Sequence, residues 1–305
     1  MPNSPSLPCS LPCVLLAAML LMVSPGRATI VQITSSAGDL EVRQPSAAAT
    51  FGQYTLGQGT VDGLRVGFQS NFGSDGASAG GIATLWFFQL PVLQAGESIR
   101  GTDFVTTLLE ETATSPITPR FNADLYALGF ISSPSLIAAN ATTFFAGQLQ
   151  TGAGLGANQQ IQRIDDDYFV VFQDFQDVNN PTPKKPKSLS IDDAGRLSLT
   201  AYLQGIYGNP AFPNDGSQFL VLRMNPDRQA AETYQENGTQ PYAKGITRYR
   251  VAASEASALT GTVNGVDYSD VTPPRLTLDI IPEPGAISLF ALAGLWLAAR
   301  RRRVA

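Results

Sequence analysis

The sequence predicts an all-β protein built as a β-sandwich with one short helix, and three observations carry this prediction. Short runs of β-branched and aromatic residues alternate with turns rich in Gly, Pro, Asn and Asp, as in sandwich domains. Only one segment has the apolar spacing of an amphipathic helix. The hydrophobic stretches at the two ends lie outside this pattern, and they predict an N-terminal signal helix and a C-terminal hydrophobic helix.

Nine segments have the composition of strands. They are Thr29–Thr34, Leu40–Arg43, Gly63–Gln69, Ile82–Leu90, Ser98–Leu109, Ala123–Ile131, Gln218–Met224, Thr247–Ala252 and Arg275–Ile281. Nearly every residue of Ile82–Leu90 is apolar, so we expect a central strand that is covered on both faces, with Trp86 in the core. The segments Gly152–Gln160 and Val178–Lys187 are predicted to be loops.

The helix is predicted over Ala194–Gly208. Its apolar residues recur at the spacing of one helix face, at Leu199, Tyr202, Leu203, Ile206 and Tyr207. Asp192 or Asp193 can cap its start, and Gly208 can end it. We expect this helix to pack on the sandwich.

Residues 1–28 are predicted to be a signal peptide. The apolar run Val14–Val23 has the length of a signal core and is followed by the helix-breaking Ser24-Pro25-Gly26. Small residues up to Ala28 predict cleavage between Ala28 and Thr29. The run departs from the usual pattern in one respect, because no Lys or Arg precedes it.

The C-terminal segment, residues 282–305, has three parts. Pro282, Glu283 and Pro284 come first, an apolar run over residues 285–299 follows, and then Arg300, Arg301, Arg302 and Arg303. As a helix the apolar run spans about 22 Å, which is short against a bilayer core of about 30 Å. The arginines are expected to stay in the cytoplasm, with residues 29–281 on the other side of the membrane as one ectodomain.

This three-part order resembles the sorting segment of PEP-CTERM proteins. The resemblance implies export by the general secretion machinery and transient anchoring in the inner membrane through the C-terminal helix. It also implies recognition by an exosortase, with cleavage near the Pro-Glu-Pro element, and delivery to the cell surface or extracellular matrix. Proteins of this family occur mostly in bacteria that make exopolysaccharide, so an exopolysaccharide is an expected partner.

A second resemblance concerns the body of the chain. The motifs Phe88-Gln89-Leu90-Pro91, Asn122-Ala123-Asp124-Leu125-Tyr126 and Pro273-Pro274-Arg275-Leu276 are similar in type and order to those of the DNRLRE domain. That family is a jelly-roll β-sandwich related to carbohydrate-binding modules, so the resemblance implies a jelly-roll-like antiparallel sandwich. Ala253-Ser254-Glu255 lacks the arginine that this family has in the corresponding turn.

Composition excludes several classes of function. Residues 29–281 contain 15 basic and 24 acidic residues, a net charge near −9, which disfavours binding to nucleic acid. The chain has no histidine, which excludes Ser-His-Asp and Cys-His catalysis and the usual zinc sites. Both cysteines, Cys9 and Cys13, lie in the predicted signal peptide, so the mature chain would have no disulfide.

The densest acidic run is Asp165, Asp166 and Asp167. Oxygen-rich segments suit Ca²⁺, which takes about 6–8 oxygen ligands, and Ca²⁺ is the one candidate cofactor. The run lacks the Asp-x-Asp-x-Asp-Gly spacing of a calcium loop, so a solvated loop is the favoured interpretation.

Tyr234, Tyr242 and Tyr268 are the candidate ligand-binding aromatics. They lie in polar, turn-rich segments, and exposed rings can stack on the apolar faces of sugars. The favoured interpretation, however, is that these tyrosines only half-cover the core.

The favoured function is an exported, non-enzymatic protein of the cell surface or matrix, with neutral glycan as the candidate ligand. Two alternatives stay open. One is a glycan-cleaving enzyme that uses paired carboxylates. The other is a structural or adhesive subunit that assembles through sheet edges.

Overall fold

The computed structural model describes residues 28–36, 38–43, 55–58, 63–68, 81–113, 122–136, 161–169, 186–226, 247–258, 261–263 and 266–282. Within these residues the chain forms strands β1 to β14 and the helix α1. The strands, in order, are Thr29–Thr34, Leu40–Arg43, Thr55–Gln58, Leu64–Phe68, Gly81–Gln89, Glu97–Ala113, Ala123–Ile131, Gln162–Phe169, Lys187–Ser190, Phe219–Pro226, Thr247–Val251, Thr262–Val263, Val266–Asp267 and Arg275–Pro282. Helix α1 is Asp193–Tyr207, between β9 and β10, and a 3₁₀ turn, Ser254–Ala258, follows β11.

Twelve strands form one curled antiparallel sheet, and nine of them follow one another in the order β1-β14-β6-β11-β4-β5-β10-β7-β8. Strand β2 pairs with β3 and β5, and β9 pairs with β6. Strands β12 and β13 make a separate small ladder. The result is a β-sandwich-like fold, and the all-β prediction is confirmed for the described part of the chain.

The 17-residue strand β6 connects the two sides of this sheet. It pairs with β14 through Gly101–Val105, among other positions, and with β11 further along through Leu108–Ala113. Both ladders shift register, which is how a long strand bends as it passes between two sets of neighbours. The concave side that this curvature creates is filled by core side chains and covered by α1, which packs on β6 and β8.

Strand β5 is buried on both faces, as its apolar sequence predicts. Trp86 and Phe88 point into the main core, whereas Leu85 and Phe87 belong to a second cluster on the other side of the sheet. All four side chains are fully buried. The indole N–H of Trp86 donates to the carbonyl of Ala252 at 3.1 Å, so the one polar atom of this ring is satisfied in the core.

The bounds of helix α1 confirm the predicted helix to within one residue at each end. Asp192 is the N-cap, and its side chain accepts a hydrogen bond from the N–H of Gly195 at 2.6 Å. Gly208 ends the helix, and its N–H donates to the carbonyl of Gln204 at 2.9 Å. The buried face comprises Gly195, Leu199, Leu203 and Ile206.

The nine predicted strands are all present, with ends that differ by up to four residues. Strands β3, β8, β9, β12 and β13 were not predicted. Lys187 begins β9 and does not belong to a loop, because its strand pairs with Leu108 and the residues before it. The acidic run Asp165–Asp167 lies within strand β8, so its interpretation as a solvated loop is wrong.

Candidate functional site

The candidate site is an acidic cluster at the junction of β7 and β8. It consists of Asp124 on β7 and of Asp166 and Asp167 on β8, and one carboxylate oxygen of each lies within 4.8 Å of the others. Asp124 is buried, whereas Asp166 and Asp167 are exposed. Two of the three predicted calcium candidates therefore meet, and a residue of the neighbouring strand joins them.

The acidic run forms a strand because its polar groups find partners there. The pairing of β8 with β7 is irregular, with register shifts at Asp124 and Leu125, and Asp167 adopts a left-handed φ of 60°. Asp is one of the few residues that enters this region at modest cost. The N–H of Asp167 donates to the Asp124 carboxylate at 3.1 Å. The side-chain amide of Asn122 donates to the carboxylate of Asp167 at 2.8 Å. The run is thus a bulged edge strand.

Arg163 supplies the positive charge of the cluster. Its guanidinium lies 2.8 Å from the Asp166 carboxylate and 3.8 Å from that of Asp124. The Tyr126 hydroxyl also donates to Asp124, at 3.2 Å. Burial and the neighbouring Asp124 raise the pKa of Tyr126 to about 12, so this hydroxyl stays protonated and remains a donor at neutral pH.

Asp165 points away from the cluster and joins β8 to the start of α1. Its carboxylate accepts the N–H of the N-cap residue Asp192 at 3.0 Å. Burial raises the pKa of Asp165 to about 6, and the hydrogen bond from Asp192 opposes this rise. The predicted set of three aspartates is therefore divided, because alternate side chains of a strand point to opposite faces and the bulge breaks this alternation locally.

The cluster can bind a cation only with contributions from elsewhere. With one oxygen from each, its three carboxylates supply three of the roughly 6–8 ligands that Ca²⁺ takes, and the Arg163 guanidinium already lies between Asp124 and Asp166. With Arg163 in place, the cluster is a salt-bridge network that joins β7 to β8. Without that guanidinium it would present three converging negative charges.

A second buried carboxylate, Asp39, was missed by sequence reasoning. It is fully buried and accepts hydrogen bonds from the Ser35 hydroxyl at 2.7 Å, the Ser254 N–H at 2.9 Å and the Phe87 N–H at 3.3 Å. Burial raises its pKa to about 7, and the three hydrogen bonds oppose this rise. In the sequence Asp39 follows Gly38 between two strands, a pattern that also describes an ordinary exposed turn.

The tyrosine candidates do not meet in the described part of the chain. Tyr268 is buried, with 3% of its surface exposed, and packs with Leu109, Ala252 and Ala256. Tyr268 is therefore not an exposed candidate, and its burial agrees with the favoured interpretation that these tyrosines cover the core. Tyr234 and Tyr242 lie outside the described residues.

The predicted processing sites flank the sheet. Ala28 is the first described residue and Thr29 begins β1, while Pro282 is the last residue of β14 and lies opposite Glu97. Residues 1–27, Glu283, Pro284 and Arg300 to Arg303 lie outside the described residues. Among the described residues, no helix has the length and apolar character needed to cross a bilayer.

No protein-family model matches the chain, and no curated protein is significantly similar to it.

Proposed function

We propose that this chain is an exported protein, sorted through its C-terminal segment to the cell surface or extracellular matrix, where the β-domain acts without catalysis. The observation that carries the proposal is the three-part order of the last 24 residues: Pro-Glu-Pro, then an apolar run too short for a stable span, then four arginines. The last strand, β14, ends at Pro282, the first residue of this segment. The proposed sorting segment would therefore follow directly on the last described strand of the sheet.

The arrangement of the first and last strands supports the same proposal. Thr29 pairs with Ile280 across the antiparallel β1–β14 ladder. The predicted leader and the sorting segment thus join the domain at neighbouring points of one sheet end. Both hydrophobic segments could occupy one membrane with the whole domain on one side. Removal of the leader after Ala28 would leave every residue of β1 in place.

The proposed ligand of the domain is a neutral glycan such as the exopolysaccharide of the producing cell. The net charge near −9 of residues 29–281 disfavours polyanions, whereas a neutral polymer meets no such repulsion. Because Tyr268 is buried, Tyr234 and Tyr242 are the aromatic candidates that remain for stacking on sugar rings.

A second candidate function, a structural or adhesive subunit, is favoured by one specific feature of the sheet. Strand β1 is the last strand on its side of the sheet, and its exposed residues include Ile30, with 68% of its surface accessible. An uncharged terminal strand of this kind can add a strand from another molecule.

The sorting proposal is tested by the masses of the chain recovered from each fraction of its producing cell. We expect material from the surface or medium to begin at Thr29 and to end near the Pro-Glu-Pro element. Replacing Pro282, Glu283 and Pro284 together by alanine should retain the chain in the membrane fraction. The matched control, Arg100→Ser on an exposed site of β6, should be processed normally. A full-length chain in the cytosol with both ends intact would refute the proposal.

The glycan proposal is tested separately, by pull-down with the exopolysaccharide of the producing cell. Binding that falls at least tenfold in a Tyr234→Ala, Tyr242→Ala double variant would support it. The control is Tyr268→Phe, which keeps the buried ring. Absence of binding to any neutral polymer would reject the glycan part and leave the sorting proposal unaffected.

A further inference from the structure

Strand β1 forms an open edge of the large sheet. It lies at the end of the strand order and pairs with β14, and no other described strand pairs with it. Its side chains alternate between exposed and half-buried positions over its second half, and Ile30, Gln32 and Thr34 are exposed. Its other face carries Val31 and Ile33, which pack against the main core.

The ladder shows which backbone groups of β1 face outward. The N–H of Ser35 donates to the carbonyl of Pro274, so position 35 is a hydrogen-bonded position toward β14. In an antiparallel pair such positions alternate, which assigns Thr29, Val31 and Ile33 to the β14 side. The N–H and C=O groups of Ile30, Gln32 and Thr34 therefore point away from β14, and no strand in the described part of the chain pairs with them.

The opposite edge, β8, is protected against such pairing. Arg163 and Asp166 place exposed charges along it, Asp167 adopts a left-handed φ, and its ladder with β7 shifts register. Charges and bulges of this kind are the usual means of blocking edge-to-edge association. Strand β1 has none of them: its sequence TIVQIT contains no charge and no proline, and five of its six residues are β-branched.

We propose that β1 is a docking strand for β1 of a second copy of this chain, paired antiparallel about a two-fold axis at Gln32. This register joins the outward-facing groups of Ile30, Gln32 and Thr34 to those of the second copy as hydrogen-bonded pairs. Gln32 lies opposite Gln32 of the second copy. On the core face Val31 lies opposite Ile33 of the second copy, which continues the apolar layer across the junction.

Self-pairing fits β1 better than pairing with the charged edge strand β8. An uncharged strand that is β-branched on both sides of Gln32 is complementary to its own reversed copy, and no like charges meet. Pairing of β1 with β8 would repeat without closing and would build a filament, but the charges and bulge of β8 oppose it. The expected assembly is a closed dimer with one twenty-four-stranded sheet.

The contact between the two β1 strands is small, so the amount of dimer depends on the local concentration of the chain. Six residues a side is well below the roughly 20–30 residues a side of a stable interface, so the dimer is weak in dilute solution. Concentration on a cell surface would populate it through the higher effective concentration of tethered copies. This last step rests on the proposed function, whereas the pairing itself does not.

The register is tested by disulfide trapping in the full-length chain in mild detergent, with Cys9 and Cys13 replaced by serine. In Gln32→Cys the two cysteines of a hydrogen-bonded pair have Cα atoms about 5.5 Å apart, within disulfide range. We expect a covalent dimer under mild oxidation, at least tenfold faster than for Leu197→Cys, which is also an exposed position, on α1. Equal rates for the two variants would overturn the proposal.

A second measurement separates β1 pairing from association through the hydrophobic ends. Sedimentation equilibrium should show a concentration-dependent dimer for the full-length chain, and Ile30→Lys with Gln32→Lys should weaken it at least tenfold. The matched control, Leu197→Lys, should leave it unchanged. A dimer that persists in the double lysine variant would refute the β1 contact. Loss of export in the producing cell, with the dimer intact, would refute only the proposed function.

Discussion

The carboxylate of Asp39 accepts the backbone N–H of Ser254 at 2.9 Å, although the two residues are 215 positions apart in the chain. The same carboxylate accepts the N–H of Phe87 at 3.3 Å and the hydroxyl of Ser35 at 2.7 Å. One buried side chain thus fixes the turn after β1, the central strand β5 and the 3₁₀ turn after β11. A change in its protonation, or removal of its oxygens, should therefore change the stability of the whole domain.

The first prediction is a pH dependence of stability. Because burial raises the pKa of Asp39 from 3.8 to about 7, the folded chain holds a proton between these values that the unfolded chain has lost. The contribution of Asp39 to the free energy of unfolding should be fully present below about pH 4 and should be lost as pH rises through 7, by on the order of 4 kcal/mol at most. Urea denaturation at several pH values measures this slope.

The variant Asp39→Asn tests the origin of that slope. It should lower the stability at pH 4 by about 1–3 kcal/mol, because an amide cannot accept all three hydrogen bonds. It should also flatten the pH dependence, apart from the smaller effect of Asp165, whose raised pKa of about 6 acts with the same sign. Asp270→Asn, at an exposed position, is the control. An unchanged slope in Asp39→Asn would show that Asp39 is not its source.

The second prediction concerns the start of α1. Asp192→Ala removes the acceptor of the Gly195 N–H and should cost about 1 kcal/mol of stability. Asp193→Ala, one residue later, removes a side chain that is 96% exposed and pairs with Arg196, and should cost less than about 0.5 kcal/mol. Thermal unfolding of both variants compares them. Equal costs would mean that the cap does not stabilise the helix.

The third prediction contrasts the two glycines of α1. Gly205→Ala should stabilise the domain by about 0.5–1 kcal/mol, because nothing lies within 4 Å of the added methyl and alanine favours the helix. Gly195→Ala should destabilise it, because the methyl would lie 3.1 Å from both the buried Asp165 carboxylate and Ile191 Cβ. Urea midpoints measure both changes. A stabilising Gly195→Ala would mean that Asp165 and Ile191 can shift enough to accept the methyl group.

The fourth prediction concerns the acidic cluster. Arg163→Ala removes the guanidinium from Asp124 and Asp166 and should lower stability by about 1 kcal/mol, through repulsion among the three carboxylates. Millimolar Ca²⁺ should restore part of that loss in the variant and have a smaller effect on the unmodified chain. Thermal unfolding with and without Ca²⁺ is the measurement.

Arg100→Ala provides the control for this experiment, since it breaks an exposed ion pair with a single carboxylate, that of Asp279. It should show no gain with Ca²⁺ beyond that of the unmodified chain. If Arg163→Ala also shows none, the cluster has no affinity for the cation even when its charges are uncompensated.

The sequence predicts best those elements whose type and burial follow from the periodicity of their apolar residues. Both sets of alternate positions in strand β5 are mainly apolar, so its burial on two faces follows directly from the sequence. Helix α1 combines a periodic face with Asp192 and Gly208 at its ends, and both boundaries agree with the structure to within one residue. In these elements the local and the tertiary preferences coincide.

The acidic cluster could be predicted only in part, because it depends on register. Asp166 and Asp167 are adjacent in sequence, but their meeting with Asp124 needs the pairing of β7 with β8 and its bulge. Neither the pairing nor the bulge has a sequence signal that distinguishes it from a polar loop. Asp39 was missed for a similar reason, since its three donors come from residues up to 215 positions away.

The position of β14 has a consequence for the order of events during synthesis. Residues 275–282 are the last of the sheet to be made, yet they lie inside it, between β1 and β6. Strand β1, made first, has no described neighbour until they arrive. The pairing of β14 with β1 and β6 can therefore form only after residue 282 has been made, and such long-range pairing is slow. The part of the large sheet that contains β1 is therefore incomplete throughout elongation, and only the final strand joins it to β6.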